Sequence, residues 1–253
     1  MTAPKSPAAL SLANIAKSYG AGPKVLDDVS LVVHAGELLG IIGPNGSGKT
    51  TLFGVISGQL FPNAGSIALD GLDVTTLPAS TRARKGVGRT FQVPQSFGGM
   101  TVFENVLISA RFAAGLDRRH ASDYVAEILD STGFSNRADA LAESLPLLDR
   151  KRLELARALA TAPRVLLLDE IAGGLTDDEA EAIASMILSI QAKGMAIIWI
   201  EHLVHILTKT VSRLVVLGEG RLIADGDPLQ TMSVPAVRQL YLGIEPDQDA
   251  LGS

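Results

Sequence analysis

The sequence predicts an α/β fold, a largely parallel sheet covered by helices and carrying a helical insertion. Three observations predict it. The runs 38–42, 165–168 and 195–200 are continuously apolar and of strand length, as strands covered on both faces are. Segments with helical spacing alternate with those runs, the order that a parallel sheet requires. The first run also passes through a glycine-rich turn straight into a helix-like segment, 49–58, that lacks proline.

Residues 1–9 carry Pro4 and Pro7, lack the apolar stretch of a signal peptide, and are expected to form a short loose leader. Residues 10–71 are strand-rich: Val29, Leu31 and Val33 recur at the two-residue period of a half-buried strand, and 66–69 is a further short run. Between 101 and 162 the pattern becomes helical. Thr101 and Glu104 stand at capping-box spacing, Val125, Ile128, Leu129 and Thr132 keep one stripe, and Gly133 closes that helix. After Pro163 comes the strand 165–168. Thr176 and Glu179 then open a helix that keeps Ile183, Ile187 and Ile190 on one face. The strand 195–200 follows, and 213–225 reads as a hairpin turning at Gly218, Glu219 and Gly220.

Composition narrows the function. With 253 residues the chain suits one large domain or two small ones, and 47% apolar residues exclude a disordered chain. The run 195–200 is far short of the roughly 20 residues that span a bilayer. A net charge of −5 lacks the basic footprint of a nucleic-acid binder, so no nucleic-acid partner is expected. Without cysteine there are no disulfides, zinc-thiolate sites or thiol nucleophiles.

The most specific feature is the run Gly43, Pro44, Asn45, Gly46, Ser47, Gly48, Lys49, Thr50, which fits the P-loop pattern at every fixed position. It follows an apolar strand and opens a helix, so successive N–H groups and the helix dipole face an anion. Gly43, Gly46 and Gly48 permit close backbone approach, Lys49 suits outer phosphates, and the Thr50 hydroxyl suits magnesium. A nucleoside triphosphate with Mg2+ is the expected ligand, and the fold class becomes that of a P-loop NTPase. The strand 165–168 delivers Asp169 and Glu170 to its C-terminal end, where α/β sheets place ligands. Asp169 suits the magnesium shell and Glu170 suits accepting a proton from water; the plainer alternative is two solvated acids.

These residues resemble the ATP-binding subunits of ABC transporters, nearest the subgroup for uptake of branched-chain and other hydrophobic amino acids. Residues 43–51 look like the nucleotide loop, including Thr51. Arg89, Thr90, Phe91 and Gln92 are similar to the Q-loop segment, and 152–161 with 165–170 to the helix after the signature and the second nucleotide motif. Glu201 and His202 resemble the switch histidine, and 237–243 the amino-acid subgroup's ending. The resemblance implies an ABC ATPase with an antiparallel β subdomain and a helical insertion subdomain. The ATP-binding domain would span 10–244, with the helical part at about 93–162 and a C-terminal tail at 245–253. Tyr19 would stack on adenine, Gln92 would complete the magnesium shell beside Thr50 and Asp169, and His202 would contact the γ-phosphate. Their plainer alternatives are a strand-end tyrosine, a polar loop residue and a helix-start cap. His205, three residues after His202, lacks the spacing of a helical zinc pair.

The pattern fails at one place. Such subunits form head-to-tail dimers in which each chain presents a Ser-Gly-Gly-Gln type signature to its partner's ATP, and the equivalent stretch here is Leu145, Pro146, Leu147, Leu148, Asp149. Pro146 has no N–H to give, the leucines carry side chains where backbone lies against phosphate, and Asp149 would add negative charge near a polyanion. The helix is expected to begin near Asp149. Ile171 stands where proline is usual and Thr176 where Asp or Asn is expected. A second, different ATP-binding subunit is therefore expected as partner.

The resemblance further implies two transmembrane permeases, a solute-binding protein and a peripheral place on the cytoplasmic face of the inner membrane. Val93, Phe97 and Met100 form either a groove for a permease helix or packing within the insertion. The expected function is ATP hydrolysis energising import of branched-chain or related small amphipathic solutes. The alternative is a nucleotide-binding regulatory subunit with little turnover. A DNA-repair or translation ATPase would need a long coiled coil or a second ATP-binding domain, and a GTPase would need an Asn-Lys-x-Asp motif; neither is present.

Overall fold

The computed structural model describes residues 7–242. Most of the expected leader, Gly243 and the expected tail at 245–253 lie outside them. Strand β1 (Ala8–Ser18) begins inside the expected leader, because Ala8 pairs with His34 of β2 (Lys24–His34). With β4 (Ala64–Leu69) and β5 (Leu72–Asp73) these strands form a four-stranded antiparallel sheet in the order β2-β1-β4-β5.

The second sheet has six strands. Its order is β10 (Arg221–Gly226), β9 (Arg213–Gly218), β3 (Leu38–Ile42), β8 (Ala196–Ile200), β7 (Val165–Asp169) and β6 (Val87–Arg89). All neighbours are parallel except β10 with β9, the hairpin expected from sequence. Its continuous apolar runs have a simple cause. Leu38 and Ile42, Leu166 and Leu168, and Ile197 and Trp199 face one core, whereas Leu39 and Ile41, Val165 and Leu167, and Ile198 and Ile200 face another. Both faces are covered, so neither side of these strands is polar.

The first core is shared with the helical insertion, α3 (Val102–Phe112), α4 (Arg118–Ser131) and α5 (Leu147–Leu159), and with α6 (Asp177–Gln191). Thr101 and Thr176 close the capping boxes read from sequence, on α3 and α6. The second core takes in the antiparallel sheet and α1 (Lys49–Ser57).

Four neighbouring parallel strands, β3, β8, β7 and β6, end on one edge. The P-loop follows β3, His202 follows β8, Glu170 follows β7 and Gln92 follows β6. Motifs more than a hundred residues apart in sequence are thereby brought side by side, at the edge where such sheets bind ligands.

The far end of α1 is held by a residue with no sequence signature. Arg82, on α2 (Ala79–Arg84), is fully buried and donates to the carbonyls of Val55, Ile56, Thr75 and Leu77. Val55 and Ile56 lie in the last turn of α1, where a cation also meets the negative end of the helix dipole. Replacing Arg82 with Met leaves four carbonyls without this donor. Unfolding stability is expected to fall by about 3 kcal/mol or more, read as a lower denaturation midpoint at unchanged slope.

Candidate functional site

The P-loop is shaped by close contacts that only glycine tolerates. A Cβ on Gly43 would lie 2.2 Å from the Leu217 carbonyl oxygen and 2.6 Å from Ser47 Oγ. One on Gly48, at φ +106°, would lie 2.7 Å from the Val25 carbonyl oxygen. Gly48 caps α1 without any side-chain bond, so the first N–H groups of the helix stay open toward the loop. Lys49 is buried and donates to the carbonyls of Gly43 at 2.7 Å and Pro44 at 3.0 Å. Burial pulls its ammonium below the ordinary lysine value, against the opposing charges of Glu170 and Asp169. Ser47 Oγ is buried with no partner among the described residues, a polar atom aimed at the loop with nothing to bond. A cavity of about 170 Å³ is bounded by Asn45, Gly46, Thr50, Thr51 and Glu170.

Tyr19 directly follows β1, the residue 53% exposed and its hydroxyl 3.2 Å from Thr51 Oγ1. It is therefore not a core tyrosine, and its ring, with the Lys17 ammonium 5.8 Å from its centre, stands beside the phosphate loop.

The two acids are held individually. Asp169 Oδ2 accepts from Arg89 Nη2 at 2.8 Å, while the Asp169 backbone N–H donates to Thr90 Oγ1. Glu170 has φ +48° and turns the chain out of β7. Its Oε2 accepts from Gln92 Nε2 at 2.5 Å, and its Oε1 lies 2.8 Å from His202 Nε2. His202 precedes α7 (Val204–Thr210), whose cap is Leu203, so its side chain serves Glu170 rather than the helix start.

Sequence reasoning assigned no role to four further residues here. Buried Lys151 of α5 donates to the carbonyls of Gln92 and Glu170. Glu154 and Arg157, farther along α5, bond the N–H and carbonyl of Gln95. Buried Glu201 accepts from the N–H groups of Ala172 and His202 and from Trp199 Nε1. Burial holds the Glu201 carboxyl above the usual carboxylate range. The available signal was position: each lies in or beside a recognised motif, but only tertiary contact shows what it holds.

Residues 26–173 match the model of the ABC transporter family. The chain belongs to that family. It is 34% identical to the lipopolysaccharide export system ATP-binding protein LptB of Haemophilus influenzae, over 92% of this chain and 97% of that protein. It is also 34% identical to the high-affinity branched-chain amino acid transport ATP-binding protein BraF of Pseudomonas aeruginosa, again over 92% and 97%. A crystal structure of the ADP conformation of an ABC transporter's ATP-binding cassette superposes with a TM-score of 0.83 at 32% identity, covering 94% of this chain and 99% of that one. This chain is thus an ATP-hydrolysing subunit of an ABC transporter, a kind of subunit that works with transmembrane permeases. Among the described residues no helix is long and apolar enough to cross a membrane.

The signature region of this ABC subunit differs from expectation in the setting of Asp149. Helix α5 begins at Leu147 with Pro146 as its cap, two residues before Asp149 and near the expected start. Asp149 is buried and paired with Arg137 and Arg152, so its charge is neutralised inside the helical insertion instead of facing a partner's phosphates. Leu145 is buried, Leu148 half-buried, and Pro146 and Leu147 are exposed, with Leu147 Cδ2 against Gly174 in the loop after Glu170.

The donor set suits magnesium. Mg2+ takes few protein oxygens and keeps phosphate and water ligands. Asp169 Oδ1 has no hydrogen bond among the described residues, and the Thr50 hydroxyl lines the loop cavity. No cluster of three or more His, Asp or Glu that would build an all-protein cage occurs among those residues. Gln92 currently turns its amide nitrogen to Glu170, leaving its carbonyl oxygen as the atom suited to a cation.

Gly43→Ala is expected to weaken ATP binding by about tenfold or more, a cost of at least about 1.4 kcal/mol, because its Cβ would displace either the Leu217 strand end or Ser47. Equilibrium binding of a fluorescent ATP analogue checks this. Unchanged affinity would show that the contact relaxes freely.

Proposed function

We propose that this subunit binds ATP with magnesium at its own P-loop and uses hydrolysis to energise import of branched-chain or related small amphipathic solutes. The observation that carries the catalytic reading is Glu170, held by Gln92 and His202 at the mouth of the loop. In this reading the residues 43–51 cradle the phosphates, Tyr19 stacks on adenine and His202 contacts the γ-phosphate. Glu170 takes the proton of the attacking water. Thr50, Asp169 and Gln92 would hold magnesium, which when bound offsets phosphate charge.

The importer reading rests on the BraF likeness and on the ending at 237–243, whose Gly243 lies outside the described residues. Its partners would be two permeases, a solute-binding protein and a second, different ATP-binding subunit, at the cytoplasmic face of the inner membrane. Val93, 71% exposed, and Phe97, 46% exposed, favour a permease contact over packing within the insertion. Heterodimer formation follows from Pro146, Leu147 and Leu148, which lack the hydroxyl and bare backbone of a signature. The same residues favour the second reading, a regulatory subunit with little turnover; Glu170 and His202 weigh against it.

Glu170→Gln is expected to lower turnover of the assembled pair by about 10²- to 10⁴-fold, while the matching change in the partner subunit costs far less. Equal losses would sink the asymmetric model, and brisk hydrolysis by this chain alone would exclude impairment. For the solute, deleting the gene should abolish uptake of labelled leucine by the host. Normal leucine uptake with altered lipopolysaccharide at the surface would favour an export role in its place.

A further inference from the structure

The segment 89–92 treats the two acids separately: Gln92 reaches Glu170, Thr90 bonds the backbone of Asp169, and Arg89 bonds its side chain. The surroundings of Arg89 are specific. It closes β6, the strand beside β7, and its side chain is 9% exposed. The guanidinium donates to Ser57 Oγ at 3.2 Å, Gln59 Oε1 at 2.7 Å and Asp169 Oδ2 at 2.8 Å. It lies over the rings of Phe53 at 5.7 Å and Phe91 at 5.3 Å. Its Nε is buried without a partner among the described residues. A planar cation is thus packed by two aromatic rings and tied through one arm of its fork to the end of α1, leaving the other arm on a single carboxylate oxygen.

We propose that Arg89 is a positioning residue for the metal site: by occupying Asp169 Oδ2 it fixes the carboxylate so that Oδ1 alone is presented to magnesium. The proposal rests on the reading of Asp169 as a magnesium ligand. A carboxylate beside a phosphate loop has two competing options, bidentate binding or rotation toward Lys49, whose ammonium feels its charge. Arg89 removes both by holding one oxygen in a fork whose other arm is anchored on Ser57 and Gln59. Because those anchors lie at the C-terminal end of the helix that opens at the P-loop, Asp169 is indexed to α1 directly as well as through the sheet. Partners that orient a metal ligand are typically worth about 10- to 100-fold in metal affinity.

The test compares the affinity of a fluorescent ATP analogue in magnesium and in EDTA for the wild type, Arg89→Met and Arg89→Lys, with thermal melting of each. Magnesium should tighten binding to the wild type. In Arg89→Met that gain should shrink by about tenfold or more while the EDTA affinity stays within about twofold. Arg89→Lys keeps the charge but not the fork and should fall between the two; should the Met variant not fold, a severalfold smaller gain in the Lys variant decides. Loss of affinity in magnesium and EDTA alike would make Arg89 a purely structural tie and overturn the proposal. An unchanged or larger magnesium gain would overturn it too, showing a charge that only repels the cation. A wild type whose affinity ignores magnesium would overturn the underlying metal reading, an outcome distinct from failure of the variants alone.

Discussion

Two adjacent carboxylates at the end of an apolar strand set the conditions for everything around them. Asp169 is nearly buried and Glu170 follows it directly, beside a loop built to receive a polyanion. Like charges on neighbouring residues in so little water repel, so each needs its own compensation. Arg89 supplies it for Asp169, and the amide of Gln92 with the imidazole of His202 for Glu170. Lys49 and Lys151 add buried positive charge on either side, and the acids hold up ammonium groups that burial alone would push lower still. Glu170 at φ +48° stores backbone strain of about 1–2 kcal/mol, which the carbonyl contact from Lys151 helps to hold.

That same lysine extends the arrangement outward. Helix α5 touches the Q-loop segment at two heights: Lys151 bonds the carbonyl of Gln92, and Glu154 with Arg157 grips Gln95. Arg157 also stacks over Phe97, one of the exposed apolar residues of that segment. Helix α5 is thus bonded to the same segment whose Gln92 amide holds Glu170. The N-terminal residue of the helix, Leu147, rests against Gly174 in the loop after Glu170. One helix thus links the outer apolar surface, the signature region and Glu170.

The fold was legible because its signals were local and redundant. The P-loop, the three buried-type strands, both capping boxes and the β9–β10 hairpin each followed from a few neighbouring residues. The short elements were not. Strand β6 is three residues long and α2 six, too brief for any period to show, although they carry Arg89 and hold Arg82. In the site, Lys49, Asp169, Glu170 and His202 were singled out for their own chemistry, and the structure brings them together at one sheet edge. Groups whose part is to hold others were not, because Arg89, Lys151 and Glu201 have meaning only through partners up to 80 positions away. Asp149 was misread for the same reason: its charge was visible, its two arginine partners were not.

The uneven distribution of changes across the family's motifs is not imposed by packing. The motif residues at the edge of the parallel sheet follow β3, β6, β7 and β8, where sheet geometry brings them side by side; Gln92 and His202 among them are exposed and belong to neither core. The signature residues sit at a helix start. There, Leu145 is buried and belongs to the first core and Leu148 packs against it, but Pro146 and Leu147 are exposed. A serine or a glycine at those two positions would leave the core intact, so the fold does not require a proline and a leucine there. An exposed apolar pair, Leu147 of it beside Gly174, suits contact with another protein surface better than contact with a nucleotide's phosphates. What this chain offers outward at that point is a patch of different chemistry from a phosphate-binding helix start, whereas the motif residues gathered at the edge of the parallel sheet keep the family's pattern.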